Sequence, residues 1–240
     1  MRLIFIRHAD PDYAIDSLTR QGWKEAEYLG ERMAKEKMDY IYVSPLGRAQ
    51  DTASFTLEET GMKAETKEWL KEFDPRINRP DRHAACNAWD WMPADWTQRP
   101  IFFDKDHWAE DPIMRAGKVK ERYDWVIDNF DALLKEHGYE RNGLTYKVNK
   151  GSHDTLVFFC HFGLECVIMS HLMNVSPMIL WHGMVSAPTG VTIFHSEERQ
   201  KGIASFRASC FSDTSHLYAH GEKPSFAARY SECFEDDTKH

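Results

Sequence analysis

Arg7-His8, Arg48 and His161 share a setting: each follows a short apolar run. Residues 3–6 lead into Arg7-His8. Residues 40–43 stop at Ser44-Pro45, with Arg48 one turn further on. Residues 155–159 lead through Cys160 to His161. Two guanidinium groups offer planar forks matched to phosphate oxygens. Neutral imidazole is a competent nucleophile toward phosphorus. Nearby cations favour its uncharged form. A helix expected over about 163–174 adds backbone N–H groups and positive potential at its start, a further preference for anions. Such a set suits moving a phosphoryl group onto a histidine and off again. Arginines and a second histidine can stabilise the equatorial oxygens without a metal. The leaving oxygen still needs a proton, and a carboxyl group held protonated by its surroundings can supply it. Glu72 is the first choice for that acid, with Asp10 and Asp74 as alternatives.

These residues must be brought together by the elements that carry them. The runs 3–6, 40–43 and 155–159 read as buried parallel strands, and 64–69 as a third strand in chain order. Thr19 caps a predicted helix to about residue 37, with Trp23, Ala26, Gly30 and Met33 on its apolar face. A second helix is expected to end near residue 59 and close at Gly61. Pro112 opens a long helix to about residue 137, with Tyr123, Val126, Phe130 and Leu133 or Leu134 as its stripe. Residues 191–194 and 203–206 read as late strands. The tail 235–240 is polar and expected to fray. Strand–helix alternation gives an α/β fold: a three-layer sandwich with a mostly parallel central sheet and helices on both faces. Ligands in such sheets sit beyond the carboxyl ends of the strands, where the four residues stand.

Residues 74–111 interrupt this alternation. They hold four of the eight tryptophans, four of the ten prolines, eight acidic side chains and five basic ones, and keep no period. So long an irregular stretch reads as an insertion or lid over the active site, within a single domain spanning 1–240.

Composition narrows the class. The 240 residues carry a formal net charge of -8, which argues against a nucleic-acid partner. The five scattered cysteines contain no CxxC pair and read as free thiols. Cys160 lacks the arginine six residues on that a cysteine phosphatase loop requires; Cys166 stands there. The first apolar run is too short for a signal peptide, and no stretch is long enough to span a membrane, so a cytoplasmic location is expected. No HExxH, GxGxxG or P-loop motif occurs, so neither metal nor cofactor is expected.

The segments "IRHADPDY", "SPLGRAQDTA", "WLKEF" and "FFCHFG" together resemble the histidine phosphatase superfamily, in the branch with phosphoglycerate mutases and related acid phosphatases. The resemblance covers 1–72 and 153–195. It implies that His8 is the phosphorylated nucleophile and that Arg7, Arg48 and His161 hold the phosphoryl group. Glu72 is then the acid, and Phe162 and Gly163 lie beside the substrate. Two positions depart from the family pattern: Ala9 replaces a glycine, and Phe162-Gly163 replaces a pair of small residues. The stretch "EFDPRI" after Glu72 matches neither mutases nor broad phosphatases. The expected activity is a metal-independent phosphomonoester phosphatase acting on a small phosphorylated metabolite. A phosphoglycerate mutase and a non-catalytic phospho-ligand binder are the alternatives. No motif specifies the natural substrate or the oligomeric state.

Overall fold

The computed structural model describes residues 1–225 and 232–235; of the polar tail, all but the exposed Glu235 lies outside the described residues. Strand β1 (Arg2–Arg7) is buried from Leu3 onward. Leu3 and Phe5 enter one core, Ile4 and Ile6 the other. Both faces are covered, so the strand reads as a continuous apolar run instead of an alternating one. Helix α1 (Arg20–Met33) follows, capped by Thr19, whose hydroxyl accepts the Gly22 N–H. Then come β2 (Tyr40–Val43), α2 (Gly47–Thr60) and β3 (Ala64–Thr66). After the irregular segment lie α3 (Pro112–Ala116), α4 (Val119–Glu136), β4 (Tyr139–Asn142), β5 (Thr145–Val148) and β6 (Thr155–Cys160). Helices α5 (Phe162–Met173) and α6 (Pro177–Gly183), the hairpin β7 (Val191–Gln200) and β8 (Ile203–Asp213), and α7 (Ser215–Ala219) follow.

The eight strands form one sheet in the order β3-β2-β6-β1-β7-β8-β5-β4. From β3 to β1 the pairing is parallel; from β1 to β4 it is antiparallel. The fold is α/β, and its sheet is mixed, with the parallel half carrying the strand ends of interest. On one face, α1 and α2 pack Leu29, Met33, Ala49 and Ala53 against Ile4, Ile6 and Val157. On the other, α4 and α5 pack Phe130, Leu134, Leu164 and Ile168 against Leu3, Phe5 and Phe158. Phe5 and Phe158 stack at 5.0 Å at the centre.

Several boundaries differ from the sequence reading. Helix α1 buries Gly22 and Leu29 and leaves Trp23 39% exposed at the rim, against the edge of Phe55. The run 64–69 splits: β3 stops at Thr66, and a 3₁₀ turn over Glu68–Leu70 drives Trp69 and Leu70 into the core. The single helix expected from Pro112 is two helices, because Lys118 adopts a left-handed conformation (φ 53°) between them. The two-residue strand Arg76–Ile77 packs into that break at Gly117.

Residues 74–111 are built into the fold. Arg76–Ile77 pairs with Cys86–Asn87, and helical turns follow at Pro93–Trp96, Pro100–Phe103 and Trp108–Glu110. Ile77, Trp91, Phe102 and Trp108 belong to the larger core. Trp108 is 1% exposed and meets Trp181 and Tyr123 edge-on at 5.5 and 5.3 Å. Trp108→Ala is therefore expected to destabilise the whole protein by about 3–5 kcal/mol, the range for emptying a buried aromatic site. Denaturant unfolding measures it. A change under about 1 kcal/mol would show the segment to be a detachable cover.

Candidate active site

Backbone register brings the site together. β1 and β6 pair as Arg7↔Cys160, and β6 and β2 as Phe159↔Val43. One residue beyond each pair, His8 N–H bonds Cys160 O and Ser44 N–H bonds Phe159 O, both at 3.0 Å. Three strands thus end level. His8 and His161 stand side by side, with ring centroids 5.1 Å apart. Arg48 reaches in from the first turn of α2. Arg7, His8, Arg48 and Glu72 line a cleft of about 450 Å³.

Each cation is held by neighbouring groups. Arg7 donates to the carbonyl of Ser186, in the loop before β7. Arg48 pairs with Asp16 and lies over the Tyr13 ring at 5.4 Å. Asp16 also accepts the Gly47 N–H at 2.7 Å. A Cβ on Gly47 would stand 2.1 Å from the Asp16 carbonyl, so only glycine lets this turn seat the arginine.

The imidazoles are set by their partners. His8 Nδ1 lies 2.8 Å from its neighbour Ala9 O. A carbonyl only accepts, so Nδ1 carries the proton and Nε2 keeps its lone pair. His161 Nε2 lies 2.8 Å from Ser44 Oγ. That hydroxyl accepts the Leu46 N–H, and among the described residues the acceptor bonded to its own proton is Nε2, which puts the His161 proton on Nδ1. Burial, helped by Arg7 and Arg48, holds both imidazoles well below the usual histidine range. Both are neutral at neutral pH.

Glu72 lies between Leu70 and Phe73, which are fully buried and pin the backbone on either side. Its Oε1 accepts N–H groups from Phe73 at 2.7 Å and from Leu164, in the first turn of α5, at 3.0 Å. Burial still outweighs these bonds and pushes the carboxyl above its ordinary value. A Cβ on Gly163 would stand 2.8 Å from Glu72 Oε1 and 2.7 Å from Trp89 Nε1. Phe162 lines the cleft and meets Trp89 edge-on at 6.1 Å. The alternative acids are engaged elsewhere. Asp10 accepts the Thr19 hydroxyl, and the exposed Asp74 pairs with Arg122. Ala9 needs no glycine-like backbone: it is absent from the positive-φ residues, and its N–H bonds Thr52 Oγ1 at 2.9 Å. Cys160 is buried, and its thiol is pushed well above the usual range.

A model of the histidine phosphatase superfamily, branch 1, matches residues 3–209. The chain belongs to this superfamily. It is thus an enzyme of the histidine acid phosphatase and phosphoglycerate mutase-like kind. Phosphoserine phosphatase 1 of Hydrogenobacter thermophilus is 22% identical over 231 residues, covering 92% of this chain and 98% of the relative. Three solved structures share the superfamily fold with this chain. A histidine-to-alanine mutant of phosphoserine phosphatase from Entamoeba histolytica, in complex with phosphoserine, has a TM-score of 0.56 at 20% identity, covering 90% of this chain and 98% of that one. YhfR of Bacillus stearothermophilus scores 0.57 at 19% identity, with coverage of 90% and 98%. Mycobacterial glucosyl-3-phosphoglycerate phosphatase scores 0.53 at 18%, with coverage of 88% and 98%. Among the described residues, no helix is long and apolar enough to cross a membrane.

One charged residue behind the site was not singled out from the sequence. Glu165 is fully buried on α5, near Arg7 and the hydroxyls of Thr192 and Ser186. The signal for it was present: a single carboxylate inside the apolar run "LECVIM". Burial pushes its carboxyl from 4.5 up to about 7. The folded state therefore holds this proton more tightly than the unfolded chain does. The associated stability is complete below about pH 4.5 and is lost as pH rises through 7, a loss of about 3 kcal/mol. Glu165→Gln is expected to be more stable than the parent at pH 8 and close to it at pH 5. Denaturant unfolding at the two pH values tests this, and equal differences at both would refute it.

Proposed function

We propose that the chain is a phosphomonoester phosphatase that works through a phosphohistidine on His8. One observation carries the reading. Arg7 Nε, Arg48 Nε and His161 Nδ1 are buried without hydrogen-bond partners, and all three belong to residues grouped around His8. Buried donors without acceptors are rare and costly. A phosphoryl group at His8 Nε2 would supply its oxygens as the missing acceptors.

The steps follow from the proton positions. His8 Nε2 attacks phosphorus, forming the N–P bond while the bond to the ester oxygen breaks. Glu72, protonated at Oε2 since Oε1 accepts two N–H groups, gives its proton to the departing oxygen. Water then attacks the phosphohistidine, with the Glu72 carboxylate taking its proton. Inorganic phosphate leaves and His8 is restored. Arg7, Arg48 and His161 hold the equatorial oxygens throughout. Phe162 borders the ester side, and Gly163 acts behind it by letting Glu72 and Trp89 approach. The phosphatase names of the relatives, and the phosphoserine bound by the E. histolytica protein, support a small phosphorylated metabolite as the substrate. Residues 87–91 of the irregular segment form one wall over this site.

His8→Ala is expected to lose turnover to background, and a labelled phosphomonoester should label His8 in the parent enzyme. Retained turnover in the variant would overturn the mechanism. Glu72→Gln should lower kcat/KM for alkyl phosphates by roughly 10²-fold or more, and far less for p-nitrophenyl phosphate, whose leaving group needs no proton. The rate requires neutral His8 and protonated Glu72. With the first pKa lowered and the second raised, the acid limb of the pH profile falls below 6.5 and the basic limb above 4.5.

A further inference from the structure

We infer that the alcohol part of the substrate is an uncharged aromatic group seated between Trp89, Trp91, Phe162 and Trp181. This rests on reading the cleft as the site of phosphoryl transfer. The cleft has a charged floor and an aromatic wall. The wall comes from three distant stretches of chain: the irregular segment, the start of α5 and the end of α6. Its rings are fixed. Trp89 Nε1 donates to Phe73 O, Trp91 Nε1 to Ala88 O and Trp181 Nε1 to Gly163 O, at 3.0, 3.1 and 3.0 Å. All three indole N–H groups are thus spent on backbone carbonyls, and the tryptophans offer a ligand carbon surface. Flat faces and edges of this kind pair well with another ring.

The cations, His182 and Asp90 of the cleft lead to the same class. Among the described residues, Arg7 and Arg48 are the only lysine or arginine side chains lining it, and both are engaged by the phosphoryl group. His182 is occupied at both nitrogens: Nδ1 faces Met178 O at 2.7 Å, and Nε2 accepts the Trp91 N–H at 3.3 Å. Burial keeps that ring neutral. Asp90 adds a carboxylate, with Arg82 committed to it at 2.7 Å. Among the described residues, the carboxylate of phosphoserine or 3-phosphoglycerate would find no arginine or lysine lining the cleft that the phosphoryl group does not already engage, and Asp90 holds Arg82 and Arg79 as its own partners. An uncharged ring needs no such cation.

The test compares alkyl esters, so that leaving-group chemistry does not favour the aromatic one. The parent enzyme is assayed with 2-phenylethyl phosphate, ethyl phosphate, phosphoserine and 3-phosphoglycerate. A kcat/KM at least tenfold higher for 2-phenylethyl phosphate than for each of the others is the expected result. In Trp89→Leu and Phe162→Leu, the ratio of 2-phenylethyl to ethyl phosphate should collapse toward one. Phosphoserine or 3-phosphoglycerate level with or ahead of the aromatic ester, while His8 is still labelled, would overturn the inference alone. No turnover of any ester with His8 unlabelled would overturn the reading of the site, and the inference with it.

Discussion

The parallel register of β1, β6 and β2 is the constraint on which the rest depends. Two main-chain hydrogen bonds, His8 N–H to Cys160 O and Ser44 N–H to Phe159 O, level three strand ends. With them level, His8 lies beside His161, and Ser44 stands where its hydroxyl meets the second imidazole. A slip of one residue would send these side chains to opposite faces. The apolar cores on both sides of the sheet oppose that slip, because it would exchange Ile4 and Ile6 with Leu3 and Phe5. Packing energy at the sheet's centre is thereby turned into positional accuracy at its edge.

That accuracy holds an arrangement that would otherwise disperse. Two guanidinium groups and two imidazoles repel one another if all are charged. Withdrawal from water resolves the conflict by leaving the imidazoles neutral. The cations are held by a carbonyl and a carboxylate behind the cleft, Ser186 O for Arg7 and Asp16 for Arg48, with the Tyr13 ring of the cleft wall against Arg48. The cluster is therefore already assembled, and on the proposed reading little reorganisation is left for the reaction.

The legible part of the sequence was the part buried on both faces. Residues 3–6, 40–43 and 155–159 are continuous apolar runs that end abruptly in polar residues, and the residues at those ends are the ones that meet. The antiparallel half was harder to read. β4 and β5 lie at the sheet's edge and bury only Tyr139 and Tyr146, too few to set a period. Helix α6 was missed because seven residues hold barely two turns of pattern. The aromatic wall was illegible for another reason. Trp89, Phe162 and Trp181 are far apart in sequence and meet only through tertiary packing. Gly163 links them, since its bare Cα lets Glu72 and Trp89 close on one point.

The wall over the cleft is continuous with the core. Trp91 and Trp181 line the cleft and also belong to the buried cluster that contains Phe73, Phe102 and Trp108. Reshaping this cleft would thus disturb side chains that also hold the fold together. On the proposed reading of the cleft, changes of substrate would draw on the folding reserve, and a new preference would have to arise alongside compensating changes deeper in the molecule. In a protein whose specificity sits on surface loops, those two histories can run separately; here they are joined.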